Sequence, residues 1–188
     1  MEPISEEALA ILFFSAIEQK VDNNWSNTEK EMLEITSMWG KDVSINDARH
    51  AKSSFVLALV AIELQSLKNI FPDRAQNIYD KMINYIESRA NLFTYRDAEK
   101  IIRLYQEKFT EYLELHKSVK EYGPFEGVAE QLIKDWFNEE AEVFNLDMHN
   151  KKTGKKIISP VATQTISLLI TPYLGFWRMI KDNFIITD

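Results

Sequence analysis

The chain contains no cysteine. That excludes a thiol nucleophile, a disulfide framework, an iron–sulfur cluster and a zinc–thiolate centre. It also fits a reducing compartment. Only five glycines and five prolines interrupt the 188 residues, and the glycines do not gather into a phosphate-cradling G-x-G-x-x-G or Walker loop. There is no G-x-S-x-G elbow. Three histidines are too few and too poorly spaced for most metal centres, so no cofactor is expected. Basic residues are in deficit, 22 against 29 acidic, which leaves a net charge of −7. A nucleic-acid partner needs the opposite balance on at least one face. Glu2, Glu6 and Glu7 precede the first apolar run, where a secretory signal needs positive charge. No export signal is read, and a cytoplasmic location is expected.

What remains is an ordinary globular composition, 45% hydrophobic and 27% charged, long enough for one domain over residues 1–188. Helix-start signals recur. Ser26-x-x-Glu29, Ser44-x-x-Asp47 and Thr94-x-x-Asp97 each place a hydroxyl before a helix and an acid in its first turn. Ser159-Pro160 and Thr171-Pro172 place proline at a first helical position. Gly40 and Gly123 fall where helices end. Between these marks the expected helices are Ser5–Asn23, Asn27–Trp39, Ser44–Ile70, Pro72–Asn91, Tyr95–Tyr122, Pro124–Asn145, Pro160–Ile170 and Pro172–Phe184.

Periodicity supports this reading. Ala75, Ile78, Met82, Ile86 and Phe93 form one apolar stripe, and Ala98, Ile102, Tyr105, Phe109, Tyr112 and His116 form another. Ala8–Ile17 and Phe55–Ile62 are instead apolar on nearly every side. The expected fold is therefore all-α: an irregular bundle of seven or eight helices, with these two apolar helices at its centre. Strands are nearly absent from the reading. Phe144, Leu146 and Met148 alternate with polar residues before an Asn150–Gly154 turn, so 146–158 is either a small hairpin or a loop. A loop is preferred, because an isolated two-stranded hairpin is only marginally stable.

Candidate chemistry is sparse. Asp135, Glu139 and Glu142 lie four and three apart on one helix face and can hold a hard cation or act as an acid–base pair. A solvated acidic face has the same pattern. Asp47-Ala-Arg-His50 approaches a bundle metal motif only once. Glu63 follows the run Phe55–Ile62; a helical wheel sets it near Lys52 and Arg49, which predicts exposure. Buried, it would need a partner or a raised pKa. Tyr79, Tyr85, Tyr95, Tyr105, Tyr112 and Tyr122 can line a ligand pocket, with Tyr105, Tyr112, His116 and Glu63 as its candidate residues.

The most unusual stretch is Ile157–Trp177, which carries no charge over 21 residues. Its length suits a bilayer, but its serines, threonines and prolines do not, so membrane contact is not expected. Two short helices in the fold explain it better, with Tyr173, Phe176 and Trp177 as an aromatic interaction surface. The reading that follows is a non-catalytic protein–protein interaction or scaffold module that self-associates, its partner itself or another protein. The alternatives are a binder of a hydrophobic molecule or lipid between helices, and a metal-assisted enzyme using the carboxylate cluster.

Overall fold

The computed structural model describes residues 1–37, 48–89, 95–115, 125–137, 145–149 and 156–188. The chain is mostly helical, as its periodicity requires. In order it forms β1 (Glu2–Ser5), α1 (Glu6–Ser37), α2 (Ala48–Ile70), α3 (Ala75–Ser88), α4 (Ala98–Leu115), α5 (Glu126–Phe137), β2 (Asn145–His149), β3 (Lys156–Ile158), α6 (Pro160–Ile170), a 3-10 turn at Thr171–Tyr173, α7 (Phe176–Asn183) and β4 (Phe184–Thr187).

The first helix is longer than expected. Ser26 does not start a new helix; α1 runs through it unbroken. Val21, Thr28 and Met32 are buried and Trp25 is half-buried, a stripe at steps of three and four that continues across the weak helix formers Asn23, Asn24 and Asn27. Packing of that stripe outweighs local propensity. The true start is Ser5, whose Oγ accepts the Ala8 N–H at 3.2 Å, with Glu6 and Glu7 in the first turn.

Helix α2 is the hub. Every residue from Ser53 to Leu64 is buried, and α1, α3, α4, α5 and α7 all pack against it. The first apolar helix is less central than its composition implies. Leu9, Ala10, Phe13, Phe14 and Ile17 are buried, but Ala8, Ile11 and Leu12 are exposed. α1 lies on α2 and α3 with one side facing water. The striped helices behave as read: Ala75, Ile78, Met82 and Ile86 of α3 and Ala98, Ile102 and Tyr105 of α4 are buried.

Two small strand pairs join the helices. β2 and β3 pair antiparallel, Asn145 opposite Ile158 and His149 opposite Lys156. This is the hairpin alternative rather than the preferred loop. Ile158 is buried and leads directly into α6, so the pair is not isolated from the core. The second pair has no counterpart among the expected elements: β1 and β4 run parallel, Glu2 opposite Phe184 through Ser5 opposite Thr187. Beside it the buried carboxylate of Glu6 accepts from Arg74 and Lys81, both at 3.0 Å, and Arg74 also reaches Asp188 at 2.8 Å.

Helix ends carry further corrections. Ser159 precedes α6 with Pro160 at the first position, as expected, but its side chain makes no capping bond. Asp97 lies before α4 rather than in its first turn and adopts φ 58°, a left-handed conformation that Asp tolerates better than most residues. The expected helix Pro172–Phe184 is divided at Gly175. That glycine has φ 105°, which favours residues without a Cβ, and α7 begins after it. The signals at Ser44, Asp47, Thr94, Gly40 and Gly123, and Phe93 at the end of its stripe, lie outside the described residues.

Candidate functional site

The candidate residues separate into two clusters, one partly and one fully covered. In the first, Tyr105 of α4 meets Asp135 of α5, the Tyr105 hydroxyl donating to Oδ2 at 2.5 Å. Gln131 donates to the other carboxylate oxygen at 3.0 Å. Burial, reinforced by the Asp135 charge, pushes the Tyr105 hydroxyl far above its ordinary pKa. Nearby, Trp136 Nε1 donates to the Ala51 carbonyl at 3.1 Å and to Ser54 Oγ at 3.2 Å, and Ser54 Oγ donates to Ala51 O. This network links α2, α4 and α5. Asp135 is thus engaged by neutral donors, an arrangement that fixes packing. Glu139, Glu142 and His116 lie outside the described residues, as does the Tyr112 side chain. Among the described residues no group of three or more His, Asp or Glu side chains can hold a metal ion.

The second cluster contains Glu63, and here the helical wheel misleads. Glu63 is 2% exposed. Lys52, on the same edge one helix portion earlier, reaches the surface and pairs with Asp22. The edge is open at that end and covered at the other, because the chain from Gly175 to Trp177 lies over Glu63. Glu63 Oε1 accepts the Gly175 N–H and, at 3.4 Å, the Phe176 N–H. The carboxylate therefore satisfies the N-terminus of α7, where the helix end favours negative charge. Desolvation raises its pKa, opposed by those backbone N–H groups and by the Lys20 charge. Its Oε2 has no hydrogen-bond partner among the described residues.

The aromatic candidates surround this cap. Trp177 is fully buried, with its ring centroid 4.6 Å from that of Phe13. Phe176 is half-buried, 5.1 Å from Phe13 and 5.1 Å from Trp177. Tyr173 is buried edge-on to Phe55, its hydroxyl 3.0 Å from Thr28 Oγ1. The expectation of an exposed aromatic surface fails for Tyr173 and Trp177. They seal the 3-10 turn and α7 onto α1 and α2.

The described tyrosine hydroxyls do not converge on one pocket. Tyr105 turns to Asp135, and Tyr79 lies beside the Arg103 guanidinium. Tyr85 and Tyr95 flank an ion pair in which Arg89 donates to Glu18 at 2.8 Å. Tyr95 also donates to Glu18 at 2.8 Å, and burial, then the Glu18 charge, raises the pKa of its own hydroxyl. A hydrogen bond from a buried neutral donor to a charged group contributes about 1–2 kcal/mol here, given the partial exposure of Glu18. Tyr95→Phe is expected to lose that amount, measured by urea unfolding.

No family model, curated protein or solved structure matches this chain. Its function must be sought in its own surfaces.

The surface that stands out is the outer side of α6. The inner side is core: Ala162, Thr163, Ile166, Ser167 and Ile170 are buried. On the outer side Val161 is 58% and Leu168 67% exposed, with Gln164 and Pro172 also exposed. The hydroxyls of α6, and that of Thr171 just after it, are turned inward on the helix itself. Thr165 donates to the Val161 carbonyl at 2.8 Å, and Thr171 donates to the Ser167 carbonyl at 3.0 Å. Ser167 and Thr163 bond their own turns likewise. These polar side chains need little from water, and no charged side chain occurs between 157 and 177.

The charge-free run is legible in the sequence, where its aromatic end has the side chains typical of interfaces. A wheel over Pro160–Ile170 alone shows Val161 and Leu168, seven apart, on one side. The sequence also places one helix, His50–Ile70, within the length and hydropathy of a membrane-crossing segment. It is mostly buried inside the protein, and among the described residues it is the one such helix.

Proposed function

We propose that the protein is a non-catalytic interaction module that pairs with a second copy of itself through the outer side of α6. The observation that carries this reading is an exposed helix face without charge in a chain that is 27% charged. Solvent-facing sides of amphipathic helices are ordinarily charged or polar. An exposed helix side that combines Val161 and Leu168 with uncharged Gln164 is suited to a protein contact.

The choice of partner follows from charge. Each chain carries −7, so association needs a contact that adds no like-charge opposition. Two copies of the α6 face meet this condition, whereas a strongly charged foreign surface would find no counter-charge on it. Val161 and Leu168 are seven residues apart, the repeat that lets two helices pack side by side. A two-fold contact uses the same patch on both copies. The hydroxyls already bonded within α6 can be covered without leaving donors unmet.

Sedimentation velocity from micromolar to millimolar protein tests the reading. The natural chain is expected to shift from monomer to dimer. A Val161→Glu, Leu168→Glu double variant is expected to remain monomeric. Its unfolding free energy should change by no more than about 0.5 kcal/mol per site, as for other exposed substitutions. A natural chain that stays monomeric throughout, or a double variant that still dimerises, overturns the proposal.

A further inference from the structure

We infer that the cleft between α2, α3 and α4 binds a small monocarboxylate with an apolar body. The cleft encloses about 440 Å³, within the range of small-molecule sites. Leu64, Leu67, Pro72 and Ala75 supply its apolar side, and Lys68, Arg103 and Gln106 supply its polar side. An adjoining cleft of about 360 Å³ is lined by the same Lys68, Arg103 and Gln106. These three side chains therefore stand between the two spaces.

Each of the three has donors to offer. Gln106 Nε2 is buried and has no hydrogen-bond partner among the described residues. A buried amide donor without an acceptor is unfavourable, and a turn of the Gln106 side chain, which lines the cleft, presents that donor to an acceptor bound there. Lys68 is exposed and forms no ion pair among the described residues. Arg103 is held by Glu99 at 2.5 Å and lies beside the Tyr79 hydroxyl. Those contacts orient its guanidinium and leave other N–H groups free to donate. Two cations and a neutral donor around an apolar floor fit one carboxylate: both of its oxygens can be bonded while its body covers the leucines.

The second space sets the limit on charge. Glu107, Glu111 and Glu114 line it beside the shared trio, and Lys108 engages Glu111 at 2.8 Å. That acidic wall opposes a polyanion more strongly than a single carboxylate and favours placing the ligand body toward Leu64, Leu67 and Ala75. The cleft shares no residue with the α6 face, so its occupancy and the assembly of the chain are measured separately.

Isothermal titration of the full chain with octanoate, against octan-1-ol as the uncharged control, tests the site. Octanoate is expected to bind saturably, one per chain, and octan-1-ol at least about tenfold more weakly, the factor that loss of one charge-assisted contact produces. Lys68→Glu, an exposed change whose fold is checked by circular dichroism, is expected to weaken octanoate by about tenfold or more. Gln106→Leu is expected to weaken it too. Absence of saturable octanoate binding at millimolar concentration, equal binding of octan-1-ol, or unchanged affinity in Lys68→Glu overturns the inference.

Discussion

Trp136→Ala is expected to lower the unfolding free energy by about 3–5 kcal/mol, the range for removing a large buried aromatic. The side chain is fully buried, its ring centroid lies 5.8 Å from that of Phe55, and its Nε1 donates to α2 at Ala51 and Ser54. Truncation opens a cavity between α5 and the hub helix and strips Ala51 O and Ser54 Oγ of a donor. Trp177 provides an internal comparison. It is as deeply buried, but its Nε1 has no partner among the described residues. Trp177→Phe removes an unmet donor along with some volume, whereas Trp136→Phe removes a used one. Urea unfolding should therefore show a larger loss for Trp136→Phe than for Trp177→Phe. Equal losses would show that the two indole N–H groups are energetically equivalent.

The second large effect is expected at Glu63. Glu63→Ala leaves the Gly175 N–H without its acceptor and opens space beneath α7, a loss of about 1–3 kcal/mol for the unmet donor alone. Glu63→Gln keeps the shape and an acceptor oxygen while removing the charge, so it separates the role of the cap from that of the carboxylate. The sign with pH follows from burial. The Glu63 carboxyl is raised above its ordinary value of 4.5 by desolvation, with the N–H groups of Gly175, Phe176 and Trp177 and the Lys20 charge acting against the rise. In the window from that ordinary value up to the raised one, the native chain holds a proton that the unfolded chain has released. The Glu63 contribution to stability is therefore greatest on the acid side and falls as pH rises through the window. Urea unfolding of the natural chain and Glu63→Gln between pH 4 and pH 8 is expected to show the variant gaining on the natural chain as pH increases. Parallel curves would show that this carboxyl does not titrate differently in the folded state.

Much of the helical framework was legible because it depends on local period. Met82 and Ile86, or Ala98 and Ile102, announce a buried side whatever packs on it, and Pro160 announces the start of α6. The misreadings share one physical origin: they concern what lies across from a residue, which spacing does not reveal. Ser26 has the chemistry of a helix start, yet the stripe Val21, Thr28, Met32 is held by tertiary packing. Glu63 lies on the same helix edge as Lys52, yet α7 covers one end of that edge only. Tyr173 and Trp177 carry interface-type side chains but are consumed by the core, and the exposed apolar surface falls on Val161 and Leu168 instead. By sequence alone Tyr105 and Asp135 are candidates for different chemistries. Only the packing of α4 on α5 shows that they are one hydrogen-bonded pair. The strands β1 and β4 are four residues each, too short for alternation to register, and their partners are at opposite ends of the sequence.

That last pairing has a kinetic consequence. Joining residues 2–5 to 184–187 closes a loop around nearly all of the helices, and the entropy of closing a loop grows with its length. A ribbon of four residue pairs yields too little to meet that cost early, while contacts such as α3 on α4 close much shorter loops. The ribbon is therefore expected to form once the helices are in place, with its bonds absent from the rate-limiting assembly. Interactions of that kind slow disassembly and leave the speed of folding nearly untouched. The parallel ribbon is a clasp on a finished molecule, and loosening it is expected to raise the unfolding rate more than it lowers the folding rate.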